Sequence, residues 1–303
     1  MKDTTMLDTI QSLLGVPACA IPLSICRQSR GYLLDQAGIP STGTAILFVI
    51  PYLITSDVDH PYRNLSLYAV PRDYHGYIKE LETTVLPSLQ KMYPEHSFKL
   101  FSDHSPIYEV DAAARAGLGI IGTNGLLITP NYGSFVFIGE MITDADYTAV
   151  TGHGTPDFPA DPPVCEQCGA CVGACPMGCC DRDRGNCLSA LTQKKGVLTP
   201  EEETSILCGG LAWGCDICQL SCPHNIRVIE KGQDTTIPYF VEDRKLFLNS
   251  QQLSAMTDEA FALRAYAWRG RAVISRNLAL LEDQAREESC INNNNVTERR
   301  SRP

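Results

Sequence analysis

Eight of the eleven cysteines between positions 165 and 222 restrict this chain more than any other feature. Cys165, Cys168, Cys171 and Cys175, followed by Pro176, read C-x2-C-x2-C-x3-C-P. At this spacing three thiolates wrap one cubane cluster and the fourth reaches another. A second set follows after an insertion: Cys187, then Cys215, Cys218 and Cys222 with Pro223. Two [4Fe-4S] clusters are the economical reading. By the crossing rule of two-cluster modules, Cys165, Cys168, Cys171 and Cys222 serve the first, and Cys187, Cys215, Cys218 and Cys175 the second. A pair of structural zinc sites with four cysteines each stays open as the alternative, with both C-x3-C-P endings against it. Cys179, Cys180 and Cys208 fall within the segment but outside both spacings, and Cys19, Cys26 and Cys290 lie far from it. All six read as small buried hydrophobes or incidental thiols, with Cys179 and Cys180 able to stand in as ligands.

Two clusters need a reducing environment, and eight of the fourteen cysteines sit at metal-ligand spacing rather than in a disulfide scaffold. A cytoplasmic location is therefore expected. The first 24 residues carry one lysine against Asp3 and Asp8, and Pro17 and Pro22 cut their apolar stretch, so export is not expected. The longest apolar run, 45–54, is too short for a bilayer and contains Pro51, so no membrane association is expected. The formal net charge of -10 argues against a broad basic face.

Apolar spacing predicts helices over 5–15, 32–37, 74–92 with a kink at Pro87, 108–116, 258–268 and 272–285. Strands are expected over 45–49, 98–101, 126–128 and 135–142. The mixed order predicts an α+β chain. It begins with an α/β unit over 1–155, its sheet covered by helices on one or both faces. A ferredoxin-like module organised by metal ligation follows over 156–235, then a helical segment over 236–286 and a disordered tail over 287–303. The Pro- and Asp-rich stretch 143–164 marks the first boundary.

Four further segments carry a resemblance: Tyr68-Ala-Val-Pro-Arg-Asp-Tyr-His75, Asp103-His-Ser-Pro-Ile-Tyr-Glu109, Ala116-Gly-Leu-Gly-Ile-Ile-Gly-Thr-Asn124 and Gly133-Ser-Phe-Val-Phe-Ile-Gly-Glu140. With Cys187-Leu-Ser-Ala-Leu-Thr192 and Gly214-Cys-Asp-Ile-Cys-Gln219, they resemble the epoxyqueuosine reductase family, in order, over roughly residues 40–228. The resemblance implies a cobalamin in the N-terminal unit, with the corrin and its amides met by main-chain contacts near Asn124, Leu127 and Ile138. It implies reduction of epoxyqueuosine in the tRNA anticodon loop to queuosine, fed by an external donor such as a flavodoxin or ferredoxin. It makes Asp103 the proton donor and a cofactor-facing residue. The chain ends before the helical-repeat extension that many members carry, so a short form is expected.

A carboxyl group between an apolar corrin face and substrate stays protonated, because burial disfavours its charge, and it can then deliver a proton to an opening epoxide. The competing reading for Asp103 is a cap on the helix that follows. His104 and His75 read as ordinary histidines rather than cobalt ligands. The glycines 117–122 let backbone approach a flat ligand, or serve only a helix end and a turn. Two other functions fit the same motifs: a corrinoid reductase of a small epoxide or organohalide, and a non-catalytic iron-sulfur carrier or corrinoid-activating protein.

Overall fold

The structure is a computed structural model describing residues 4–181 and 184–283. The expected tail over 287–303 and Cys290 lie outside the described residues. Among those described, no helix is long and apolar enough to cross a membrane.

Among the described residues six strands form: β1 (Ala18–Pro22), β2 (Thr44–Pro51), β3 (Phe98–Phe101), β4 (Ile120–Ile121), β5 (Leu127–Ile128) and β6 (Val136–Thr143). A four-stranded sheet has the order β1-β2-β6-β3, and a two-stranded ribbon joins β4 to β5. Every pairing within both sheets is antiparallel. The α+β class therefore holds for the described residues, while the α/β expectation for the first unit is corrected. Helices follow strands in sequence there, yet none links two neighbouring parallel strands, as an α/β crossover must.

All eight residues of β2 are buried. Its Ile46, Phe48 and Ile50 face one apolar layer, and Ala45, Leu47 and Val49 face the other. Side chains alternate across a strand, so a sheet covered on both faces reads as one continuous apolar run. On the first face pack the Met6–Leu14, Tyr74–Thr84 and Leu86–Met92 helices through Ile10, Ile78, Leu81 and Leu89. On the second lie Leu34, Ile39 and the Ala112–Ala114 run of the Glu109–Arg115 helix.

The expected helix over 74–92 splits at Val85, because Pro87 in the first turn of the second piece has no N–H to continue the ladder. The expected 258–268 helix is likewise two pieces, Asp258–Ala262 and a 3-10 turn at Ala267–Arg269. From 271 to 283 the chain is helical.

The later segments do not pack by themselves. Val228, Ile237, Tyr239 and Phe240 belong to the same apolar cluster as Ile46, Phe48 and Phe135. Leu65, Ala69 and Val70 share another with Trp213, Leu253, Tyr266 and Ile274. A hydrogen-bonded clamp accompanies the first contact. Asn225, fully buried, accepts the Ser134 N–H at 2.7 Å and donates to Ser134 Oγ and to the Gln219 carbonyl, both at 2.8 Å. Gln219 Nε2 donates to Ser134 O at 2.9 Å and Tyr52 Oη at 3.2 Å. Gly133 stands at φ +56°, and a Cβ there would lie 2.1 Å from Asn225 Oδ1, so the clamp requires glycine.

Candidate functional site

The cysteine segment supplies little apolar surface of its own, and its short helices Ala170–Ala174, Leu188–Thr192 and Ile217–Leu220 carry the thiols to two cavities. Cys165, Cys168, Cys171 and Cys222 line one of about 250 Å³. Cys175, Cys187, Cys215 and Cys218 line a second of about 50 Å³. Thiols distant in sequence thus share a cavity wall within each expected quartet. Among the described residues, no three His, Cys, Asp or Glu side chains converge as a single metal ion needs. Cys179 and Cys180 are buried and also line the second cavity, with Cys179 Sγ 3.9 Å from Cys175 Sγ. Cys26 is buried and donates to the Pro22 carbonyl, Cys19 is partly buried and Cys208 exposed.

The second quartet is tied to the larger unit by Asp216, between Cys215 and Cys218. Its carboxylate, almost fully buried, pairs with Arg63 Nη1 at 2.6 Å and accepts the Leu67 N–H at 3.1 Å. At Gly214, φ is +78° and a Cβ would press on Ser66 Oγ at 2.0 Å. The first quartet is tied by backbone: Cys165 N–H donates to Ile121 O at 3.0 Å, joining the β4–β5 ribbon to the start of the cysteine segment.

A third cavity, of about 480 Å³, holds Asp103. Its walls include Tyr68, Tyr74, Phe137 and Trp268, with Asp73, His75 and Gln193 as polar members. Tyr74 and Phe137 stack with centroids 4.2 Å apart and planes 5° from parallel. Asp103 sits in the left-handed region at φ +56° and is 72% exposed, so its loop turns the carboxyl outward. Its backbone N–H donates to Glu109 Oε1 at 3.2 Å, and Arg30 Nη1 donates to its carbonyl at 3.2 Å. His75 Nε2 stands 3.5 Å from Asp103 Oδ2, and His75 Nδ1 is 2.7 Å from Asp73 Oδ1. The hydrogen bond with Asp73 raises His75 above the usual imidazole range. The capping reading of Asp103 fails, because the Glu109–Arg115 helix has Tyr108 at its N-cap and no side-chain cap. His104 is exposed, its ring 3.4 Å from Tyr32 Oη.

Two acids beneath this loop were not read from sequence. Glu109 is half-buried, and burial first, then the Asp103 charge, raises its carboxyl to about 7. Glu140 on β6 is fully buried and raised well above the carboxylate range by burial. Its Oε2 lies 2.5 Å from Ser105 Oγ, and Oε1 has no partner. Ser105 Oγ also accepts the Ile107 N–H at 3.0 Å and lies 2.9 Å from the Ile107 carbonyl. A serine carries a single proton, so a neutral Glu140 donating to Ser105 leaves that proton for Ile107 O. The Asp103-His-Ser105 turn is thereby pinned to the central sheet. The missed signal was an acid at the core-facing parity of Ile138 and Ile142.

The three residues expected to meet the corrin through their main chain have their side chains outside the walls of the Asp103 cavity. Asn124, 6% exposed, lies between the two cysteine cavities and lines both. Leu127 is buried in the second apolar layer, and Ile138 packs against that layer, across the sheet from Phe137. The glycine-rich ribbon turn brings the Asn124 side chain to the walls of both cysteine cavities.

No family model matches the chain. Among curated proteins, the epoxyqueuosine reductase of Lactococcus garvieae is 30% identical over 233 residues, covering 72% of this chain and 61% of that protein. That of Listeria monocytogenes is 33% identical over 229 residues, covering 72% and 56%. The chain thus spans little more than half the length of these relatives. Among solved structures, epoxyqueuosine reductase from Streptococcus thermophilus aligns with a TM-score of 0.72 at 20% identity, covering 100% of this chain and 87% of that one. Epoxyqueuosine reductase with an epoxyqueuosine-modified tRNA-Tyr stem loop aligns at 0.66 with 25% identity, covering 91% and 79%. Ordered motifs, fold and relatives agree, and the chain belongs to the epoxyqueuosine reductase family.

Proposed function

We propose that this chain is an oxidoreductase that reduces epoxyqueuosine in the anticodon loop of tRNA to queuosine, using cobalamin and two [4Fe-4S] clusters. The observation that carries the reading is the sorting of eight cysteines into two quartets in a chain whose Asp103 stands at an aromatic-walled cavity. A cytoplasmic location follows from a tRNA substrate.

The residues fit the cofactors unequally. Cys165, Cys168, Cys171 and Cys222 surround a void wider than one ion occupies, as a cubane needs, and Cys187, Cys215, Cys218 and Cys175 would hold the second cluster. Bound clusters supply one-electron steps from an external donor such as a flavodoxin or ferredoxin. Tyr68, Tyr74, Phe137 and Trp268 offer apolar faces to a flat macrocycle, and Asn124 and Leu127, whose side chains are engaged elsewhere, would meet it through their main chain. Bound cobalamin supplies the reducing power at the substrate carbon.

The net change consumes two electrons and two protons and releases the epoxide oxygen as water. Asp103 is the residue placed to give a proton to that oxygen as its C–O bond opens. Tyr74 and His75 flank its carboxyl, and Glu109 and the Glu140–Ser105 pair hold its loop. The open rim on the Asp103 side lets solvent restore the proton.

The test is anaerobic conversion of an epoxyqueuosine-bearing anticodon stem-loop by the reconstituted chain and by Asp103→Ala. The variant should keep its iron, sulfide and corrin and lose turnover. Unchanged turnover removes Asp103 from the mechanism. Corrin binding without conversion by the parent chain removes the tRNA substrate and turns the search to small epoxides and organohalides.

A further inference from the structure

We propose that Thr123 and Asn124, consecutive residues of the β4–β5 turn, each donate a hydrogen bond to a thiolate of a different cysteine quartet and so set the potentials of the two clusters separately. The inference rests on the cluster reading above and adds what tunes each cluster.

Thr123 lines the first cavity, its Oγ1 3.5 Å from Cys165 Sγ. A cluster-bound thiolate can only accept, so the hydroxyl is the donor. Asn124 lines both cavities. Its Oδ1 is engaged by the Leu126 N–H at 3.3 Å, which leaves the amide Nδ2 to donate into the second cavity, whose wall Asn124 shares with Cys218. The sulfurs reached therefore belong to opposite quartets.

The turn leaves these two side chains little freedom. Gly125 N–H donates to Gly122 O at 2.6 Å, and Gly122 N–H to Leu126 O at 2.9 Å. Gly125 takes φ +68°, and a Cβ on Gly122 would come within 2.4 Å of Asn124 Oδ1. The ribbon is joined to the cysteine segment in both directions, Ile121 N–H to Pro163 O and Cys165 N–H to Ile121 O. Two fixed donors thus come from the larger unit into a segment otherwise built from its own ligands.

A donor to a ligating sulfur stabilises the more negative, reduced cluster and raises its potential. Because the donors are separate residues on separate quartets, their effects should separate as well.

The experiment is a redox titration of the reconstituted full chain, followed by EPR, with Thr123→Val, Asn124→Leu and Asn124→Asp. Cys222→Ser identifies the signal of the first cluster. Thr123→Val should lower the potential of the first cluster and leave the second in place. Asn124→Leu should lower the second and leave the first. Asn124→Asp keeps the oxygen that accepts from Leu126 and replaces the donor by a negative charge, so it should lower the second cluster further than leucine does. It also decides the matter should leucine disturb the turn. Potentials that stay put, or that move together in every variant, overturn the proposal. A parent chain holding no iron or sulfide removes the cluster reading with it, and metal and sulfide analysis distinguishes that result from unmoved potentials.

Discussion

Replacing Asn225 by alanine tests the clamp that holds the cysteine segment to the central sheet. The amide makes three buried bonds, one from the Ser134 N–H and two from its own Nδ2. After truncation Gln219 O keeps the Cys222 N–H at 3.1 Å, and Ser134 Oγ keeps Gln219 Nε2 at 3.1 Å. The Ser134 N–H has no such second partner in the clamp. An orphaned buried donor costs ~1–3 kcal/mol and each lost bond ~0.5–1.5 kcal/mol, for a total of about 2–6 kcal/mol. With an unfolding entropy of ~2.1 cal/mol/K per residue, a chain of this length loses about 1.6 °C of Tm per kcal/mol. The expected fall is therefore about 3–9 °C. Anaerobic thermal unfolding followed by near-UV circular dichroism reads it, and Ser134→Ala with the double variant completes a cycle. Bonded partners should show a coupling of ~0.5–3 kcal/mol. A fall under about 1 °C, or strictly additive single changes, would refute the clamp.

Cys187→Ser should halve bound iron and sulfide and leave the first cluster's EPR signal intact, whereas loss of both clusters or of neither would contradict the assignment of Cys187 to the second quartet alone. Glu109→Gln addresses pH. The Glu109 carboxyl is raised from an ordinary 4.5 to about 7, so the folded chain binds this proton more tightly than the unfolded chain. That contribution to stability is complete below pH 4.5 and is lost as pH rises through 7. The glutamine variant should show a flatter stability profile across that window, and an unaltered slope would remove Glu109 as its source.

Much of the architecture could be read from residue order because the signals were local. Ala45–Val49 was legible as a strand from its unbroken apolar run, and Phe98–Phe101 from its alternation with one charged residue. β1 was not, since Ala18, Cys19 and Ala20 are small and prolines stand on both sides; its pairing with β2 is what extends it. The Pro200–Gly209 helix carries a capping box at Thr199 and Glu202 that a closer reading of the cysteine segment would have found. The cysteine sorting was legible because ligand spacing is itself a three-dimensional constraint. The surroundings of the Asn124 side chain were not legible, for the opposite reason. The motif around it locates a turn, but which wall the turn meets depends on how residues 163–165 return to the ribbon. Glu140 was invisible as a functional group because its role arises only through Ser105, 35 positions away.

The shared apolar cluster of Ile46, Phe48 and Phe135 with Val228, Tyr239 and Phe240 has a consequence for how such a chain is made. A ribosome delivers the sheet first and its covering residues roughly a hundred positions later, with all eight ligand thiols in between. During that interval the growing polypeptide carries an apolar face only partly covered by its earlier helices and a set of unligated sulfurs together. Maturation of the metal centres and closure of the core are therefore successive events on one timetable, and a cell short of iron would meet this protein first as a folding problem.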